Sequence, residues 1–335
     1  QGGVDVRRIE NKLGIHGSPT CELVYKNAHA ELCGERRLGL IKYVMALMNG
    51  ARLGIAAQSV GISQAAYDEA LAYAKDRCQF GKAIVDMPPV YNMLATIKAK
   101  LDAGRALLYE TSRYVDIYKS YDDIARSRKL TPEERKEQKK YTRLADCFTP
   151  LAKGMNSEYA NQNAYDCIQV HGGSGFMLEY ACQRLYRDAR ITSIYEGTTQ
   201  LQTVAAIRYV TNGTYMNVIR EYEEIEVPEA YKSIKARIHA MADACEAAVN
   251  KVKEAGNQDY HDLVARNLYE MTADVVMSLL LLRDTVEAPE LFEKSLKVYV
   301  NLAEAEIAKH AAIVNNTNVE DIENYVQVAA KAEEE

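Results

Sequence analysis

The sequence predicts a mostly α protein: a helical bundle, preceded by a remnant of β structure and followed by a second helical bundle. Three observations carry that prediction. Apolar residues recur at three- and four-residue steps through most of residues 40–210. Strand-like alternation is confined to residues 1–36. From Tyr215 onward the chain is rich in Ala, Glu and Lys and keeps helical spacing. The expected divisions are 1–37 for the β remnant, 38–213 for the first bundle and 214–335 for the second.

Composition narrows the function. A chain of 335 residues suggests roughly two domains and can bury a sizeable core. Hydrophobic residues make up 48 %, and the formal net charge of -6 argues against a general nucleic-acid surface. The seven cysteines are odd in number and contain no CxxC pair, so free thiols in a reducing cytoplasm fit better than disulfides or a zinc site. No apolar run is long enough to span a membrane. The first residues carry no signal peptide and no initiator methionine, so the chain reads as part of a longer protein.

In chain order, Cys21, Leu23 and Tyr25 alternate with Glu22, Val24 and Lys26 after the Gly17-Ser18-Pro19 turn. Two or three strands do not make a stable sheet alone, so this segment reads as the tail of a β domain. A first long helix is expected over 40–77, with Val44, Leu47, Met48, Ala51, Ile55, Ile62, Ala66, Ala70 and Tyr73 in step. Gly50, Gly54 and Gly61 inside it suggest close approach of a backbone or ligand, or tight helix packing. Arg52 is either a buried arginine that needs a partner or a surface residue on a rotated face. Asp76-Arg77-Cys78-Gln79-Phe80-Gly81-Lys82 reads as a helix end whose cations suit the dipole.

Pro88-Pro89 breaks the pattern, and a second helix should run over 90–121. Residues 122–140 read as a solvated loop and the exposed start of a third helix, with Thr131-Pro132-Glu133-Glu134 as its capping box. That helix resumes from Tyr141 to His171, with Pro150 expected to break or kink it. Gln169-Val170-His171-Gly172-Gly173-Ser174-Gly175-Phe176 ends it, as an ordinary glycine cap or as a turn exposing N–H groups to a phosphate. Helices over 179–187 and 199–210 follow, with Asn212-Gly213 as a stop, and then 228–255, 259–286, 289–315 and 319–333. His239, His261 and His310 are isolated, and no metal site is expected.

Between Arg190 and Thr199 lies Ile191-Thr192-Ser193-Ile194-Tyr195-Glu196-Gly197-Thr198, expected to be a short extended loop. It carries one carboxylate among apolar neighbours, just before a helix N-terminus that favours negative charge. Glu196 is there either as a helix cap or as a catalytic group.

Four motifs in this order resemble the C-terminal half of the acyl-CoA dehydrogenase family over roughly residues 12–210. They are Lys12-Leu13-Gly14-Ile15-His16-Gly17-Ser18-Pro19-Thr20, Asp76-Arg77-Cys78-Gln79-Phe80-Gly81-Lys82, the glycine turn at 169–176, and Ile194-Tyr195-Glu196-Gly197-Thr198-Thr199-Gln200. The first, with Met48-Asn49-Gly50-Ala51-Arg52, also resembles the longer bacterial members, whose extra C-terminal helical domain would account for residues 214–335.

The resemblance implies a four-helix bundle of the acyl-CoA dehydrogenase C-terminal type, FAD as cofactor, an acyl-CoA substrate and an electron-transferring flavoprotein as oxidant. It implies a homodimer or homotetramer in fatty acid metabolism. It implies that Glu196 removes the α-proton while the β-hydride passes to the flavin. Arg52 matches an arginine beside the active site, and the N–H groups near Gly197 would meet the thioester oxygen. Arg77 matches the residue that meets the FAD pyrophosphate, and Phe80 lies in the same flavin-facing motif. Gln169, Gly172 and Gly173 match the turn that holds the adenine half of FAD from a neighbouring subunit. Thr198 and Gln200 match flavin-contacting positions. A carboxylate base works best with its pKa raised toward ~6–7, which desolvation by Ile194, Tyr195 and bound ligand would favour.

Some members place the base on the first long helix, where this chain has Ala51, which cannot act as one. The family often has a His-Gln pair where Met87-Pro88 stands here. The N-terminal helical domain and most of the β domain have no counterpart, so the chain by itself is expected to be inactive and to bind FAD weakly. Gly50, Gly54 and the region 45–48 are candidates to line the acyl pocket. Competing classes are an acyl-CoA oxidase, which passes electrons to oxygen, and a non-catalytic helical module for assembly or nucleic-acid binding.

Overall fold

The computed structural model describes residues 2–329, with the side chains at 41, 42, 45 and 46 outside the description. Residues 1 and 330–335, the ends of the first and third expected divisions, lie outside it, as does the Met45 side chain of the expected acyl pocket. Strands β1 (Val4–Ile9) and β2 (Cys21–Tyr25) form an antiparallel pair with an irregularity between Val6 and Arg8. The connection between them docks on the helices at Gly14. A Cβ there would sit 2.5 Å from the Arg187 carbonyl oxygen. The next residue, Ile15, takes φ +46° and donates its N–H to Asp188 Oδ1 at 2.5 Å.

A π-helical turn, Gly39–Val44, leads into α1 (Met45–Asp76). A small hairpin follows, β3 (Cys78–Gln79) and β4 (Lys82–Ala83), where the sequence suggested only a helix end. Its two turn residues, Phe80 at φ +51° and Gly81 at φ +81°, are both left-handed. That combination suits a tight hairpin but is rare for phenylalanine. Helix α2 (Pro88–Ser127) starts on the proline pair and runs six residues past its expected end. The charged segment 122–140 is therefore mostly helical, and only 128–131 separate α2 from α3 (Pro132–His171).

The capping box forms as its residues predict. Thr131 Oγ1 accepts from the Glu134 N–H at 3.2 Å, and the Glu134 carboxylate accepts from the Thr131 N–H at 2.9 Å. Pro150 does not break α3, which runs through it. An internal proline costs a helix about 3 kcal/mol. Here the residues from Cys147 to Ser157 are all buried against neighbouring helices, and that packing outweighs the cost.

Helices α4 (Ala181–Ala189) and α5 (Thr199–Thr211) lie along α3, and Gly213 at φ +80° turns the chain into α6 (Thr214–Glu223), which the sequence reading did not single out. Then come α7 (Glu229–Ala255), α8 (Gln258–Glu287), α9 (Pro289–Asn316) and the short α10 (Ile322–Val328). Every residue of α8 from Met271 to Leu282 is buried, which is how a helix apolar on all sides behaves. It packs against α7 and α9 on one side and α2 and α5 on the other. One hydrophobic cluster consequently runs from Leu107, Phe148 and Ile207 of the first bundle to Ile238, Tyr269 and Leu296 of the second.

Candidate active site

The loop after α4 is a 3-10 turn, Arg190–Ser193, rather than the extended segment expected. It is held from α3: Ser157 Oγ donates to the Thr192 carbonyl at 2.9 Å and Asn161 Nδ2 to the Ala189 carbonyl at 3.1 Å. Beyond it, Glu196 (φ +54°) and Gly197 (φ +95°) are consecutive left-handed residues. Glycine tolerates that region, but a glutamate there costs about 1–2 kcal/mol. Non-glycine residues persist in such conformations only when their surroundings hold them.

Three side chains do so. Arg52 Nε of α1 donates to the Glu196 carbonyl at 3.2 Å and also meets Asn49 Oδ1 through Nη1 at 3.3 Å. Gln202 Nε2 of α5 reaches the Glu196 and Gly197 carbonyls at 3.4 and 3.0 Å. Lys153 Nζ of α3 donates to the Gly197 carbonyl at 2.7 Å. Burial, reinforced by Arg52 and opposed by Glu158 and Glu196, pushes the Lys153 ammonium down to about 8. The Glu196 carboxylate, half-buried, has no hydrogen-bond or ion-pair partner among the described residues.

Glu196 is not a helix cap. That role belongs to Thr198, whose Oγ1 accepts from the Leu201 N–H at 3.3 Å. Thr199 Oγ1 donates to Glu158 Oε1 at 2.5 Å, and the Tyr195 hydroxyl donates to Gln58, fixing both flanks of the loop. Thr198 and Gln200 line an open cleft of about 460 Å³ together with Arg190, Gln162 and Tyr165, and Glu196 is not among its lining residues.

The remaining expected site residues gather at the opposite end of α1. Arg77 and Phe80 are exposed there, Phe80 by 94 % of its surface. Tyr73, one turn before Arg77, stacks on His171 at a ring separation of 4.2 Å and donates to Ser174 Oγ at 3.2 Å. These contacts bring the Arg77 hairpin to the same end as Gln169, Gly172 and Gly173, all exposed. Gly172 has φ +59°, and a Cβ at either glycine would meet nothing within 4 Å. Arg52 and Arg77 lie some 25 positions apart on one helix, roughly 37 Å at ~1.5 Å per residue. One copy of the chain therefore holds two clusters, one around Glu196 and one around the glycine turn. Gly50, Gly54 and Gly61 also face open space, so among the described residues no backbone outside their own helical turns approaches them.

Lys153, Gln202, Glu158 and Gln58 were not singled out in the sequence. For Lys153 a signal exists: it is the one charge in Phe148-Thr149-Pro150-Leu151-Ala152-Lys153-Gly154-Met155, a stretch otherwise suited to burial. The other three are polar residues on helices, with nothing local to mark them.

Fold and loop together define an α-helical bundle that presents a single carboxylate on a strained, donor-pinned turn. Comparison with known families agrees. Residues 53–200 match the family model described as acyl-CoA dehydrogenase, C-terminal domain, and residues 211–322 match the one described as acyl-CoA dehydrogenase C terminal. The chain is 37 % identical over 203 residues to 3-methylmercaptopropionyl-CoA dehydrogenase of Ruegeria pomeroyi, covering 58 % of this chain and 32 % of that protein. It is 35 % identical over 217 residues to an acyl-CoA dehydrogenase of Bacillus subtilis, covering 63 % and 50 %.

Among solved structures, the acyl-CoA dehydrogenase of Bacillus anthracis complexed with FAD shares the fold over 97 % of this chain and 59 % of its own, with a TM-score of 0.77 at 23 % identity. Butyryl-CoA dehydrogenase of Megasphaera elsdenii matches 61 % of this chain and 48 % of its own, with a TM-score of 0.50 at 31 % identity. The chain belongs to the acyl-CoA dehydrogenase family and corresponds to its C-terminal part. Its matches span 32 % and 50 % of the length of the two curated relatives. No helix of the described residues is long and apolar enough to cross a membrane. No group of side chains suited to a metal ion occurs among them.

Proposed function

We propose that this chain is the helical C-terminal part of an FAD-dependent acyl-CoA dehydrogenase in which Glu196 removes the α-proton of an acyl-CoA thioester. One observation carries the reading: a lone half-buried carboxylate sits on a left-handed residue pinned by donors from three helices. Pinning its carbonyls leaves the carboxylate unpaired and available to take a proton. An α C–H beside a thioester is weakly acidic, so the developing enolate needs hydrogen bonds at its oxygen. In this reading the Gly197 N–H, next to the base in the chain, contributes one, and Arg52, whose Nη2 would lie 3.6 Å from a Cβ on Gly197, borders the same turn.

The residues present fit FAD. Gly172 and Gly173 leave an uncrowded backbone edge where a phosphate or an adenine can approach. Arg77 offers an exposed cation for the pyrophosphate, and Phe80 offers an exposed ring for a planar group. Gln169 lies in the same cluster, while Thr198 and Gln200, which follow the base in the chain, line the cleft with Arg190 and Tyr165. When bound, FAD supplies the acceptor for the β-hydride. The ~37 Å along α1 from Arg52 to Arg77 supports a reading in which the glycine turn of one copy serves a neighbour's site, in a homodimer or homotetramer.

The oxidant in this reading is an electron-transferring flavoprotein. A relative 34 % identical over 204 residues is the CarC subunit of a caffeyl-CoA reductase-Etf complex in Acetobacterium woodii. The test uses the full-length protein loaded with FAD and mixed with acyl-CoAs of graded length. Flavin bleaching by the wild type and none by Glu196→Gln is the expected result, and bleaching by the variant at the wild-type rate would overturn it. Reoxidation by flavoprotein rather than by oxygen separates dehydrogenase from oxidase.

A further inference from the structure

The three donors on the loop carbonyls differ in kind. Arg52 is half-buried and its bond is 3.2 Å long. Gln202 is buried, neutral and divided between two acceptors. Lys153 is fully buried, charged, and makes the shortest bond, 2.7 Å, to the Gly197 carbonyl. It is the sole buried lysine among the described residues. An ammonium removed from water is costly unless acceptors compensate, so its placement is tied to this loop. The charges that face it are Arg52 from α1, Glu158 one turn further along α3, and Glu196 from the loop.

We propose that Lys153 is a positioning residue for Glu196, an inference that rests on Glu196 being the base. Lys153 does not contact the reacting carbon. Its N–H fixes the orientation of the peptide that follows Gly197. Rotation of that peptide would carry the Gly197 carbonyl off Nζ and let the left-handed pair relax, turning the carboxylate away from the place where it is presented. Arg52 holds the preceding carbonyl and Gln202 reaches both, so the three donors clamp both sides of Gly197.

The experiment uses full-length, flavin-loaded enzyme in stopped-flow with acyl-CoA carrying hydrogen or deuterium at the α-carbon. In Lys153→Met the rate constant of flavin bleaching should fall about 10- to 100-fold, as expected for a base misplaced by about an ångström. The α-deuterium effect should rise, while flavin content and acyl-CoA affinity stay within about twofold. A merely structural role would lower the amplitude, through fewer competent molecules, and leave the rate constant and isotope effect alone. Lys153→Gln, which keeps an N–H donor, decides the matter if the methionine variant does not hold flavin: it should bleach at an intermediate rate with a raised isotope effect. A wild-type rate constant and isotope effect in either variant overturns the proposal. Glu196→Gln run alongside keeps the two ideas apart. If it is inactive and Lys153→Met is normal, only the positioning role falls. If it is active, the base assignment falls first.

Discussion

Gly154 and Tyr269 form a contact between the two bundles whose energetics can be worked from their geometry. Tyr269 of α8 is fully buried and its hydroxyl donates to the Pro150 carbonyl of α3 at 2.9 Å. A Cβ on Gly154 would overlap that hydroxyl oxygen and lie 3.1 Å from Cζ and 3.4 Å from Gln202 Cβ. The ring has no exposed direction in which to swing. Overpacking of this kind costs about 1–3 kcal/mol, and displacing the hydrogen bond about 1 more. The better helix propensity of alanine offsets about 1 kcal/mol. Gly154→Ala should therefore lose about 1–3 kcal/mol. Tyr269→Phe alone should lose about 1 kcal/mol, the worth of one neutral hydrogen bond. In the double variant the overlapping oxygen is gone and the nearest atom is Cζ, a tight but tolerable neighbour, so the total should be about 1 kcal/mol. The pair should then couple by about 1–3 kcal/mol, outside the scatter of about 0.5 kcal/mol at independent sites. Urea unfolding of the four proteins, comparing midpoints at constant slope, gives the cycle. Additive losses would refute the contact as described.

Asp274 supplies a test in pH. Burial pushes its carboxyl up to about 7, against the pull of the Tyr299 and Tyr159 hydroxyls at 3.0 and 3.1 Å. The folded form then holds a proton that the unfolded form releases near pH 4. The stabilisation is complete below that value and disappears as pH rises through 7, by about 4 kcal/mol at most. Asp274→Asn should match the wild type at pH 4, exceed it at pH 8 and flatten the thermal midpoint between, whereas parallel profiles would refute the assignment. Glu110 behaves in the opposite sense. Burial opposes its ionisation, but Arg113 at 2.7 Å and Arg283 of α8 at 3.1 Å outweigh that and hold the carboxyl down at about 2. Its contribution is present above about pH 4.5 and lost as pH falls through 2. Both arginines are partly exposed, so Glu110→Gln should cost a modest ~1–3 kcal/mol at pH 7 by urea unfolding, and no change would rule the network out as a support. Finally, the chain by itself should bind FAD weakly, and tight stoichiometric binding in a fluorescence titration would contradict the need for further domains or copies.

Local rules made much of this molecule legible. The capping box at Thr131, the helix start at Pro289 and the stop at Gly213 each depend on residues a few positions apart, so the sequence displays them directly, whereas Pro88-Pro89, expected as a breaker, opens its helix. A loop carrying one carboxylate was readable because a glycine follows Glu196 between two helical patterns, but its 3-10 turn and left-handed pair were not. What escaped depends on partners far along the chain. Pro150 looks like a breaker until the burial of α3 on both sides is known. Phe80 gives no hint that it will occupy a left-handed turn position, since its type disfavours that region. The donors that clamp Gly197 come from positions 52, 153 and 202, and no spacing rule links them. Their convergence exists only after α1, α3 and α5 have packed.

The continuous cluster through α2, α5 and α8 has a practical corollary. Cutting the polypeptide at Gly213 would strip the cover from Leu107, Phe148 and Ile207 and leave a wide oily flank in water. Such a half would clump rather than stand free. The trailing helices are better regarded as the other jaw of a vice than as an optional attachment, and a shorter relative could not accept them by simple fusion without acquiring the matching inner surface as well.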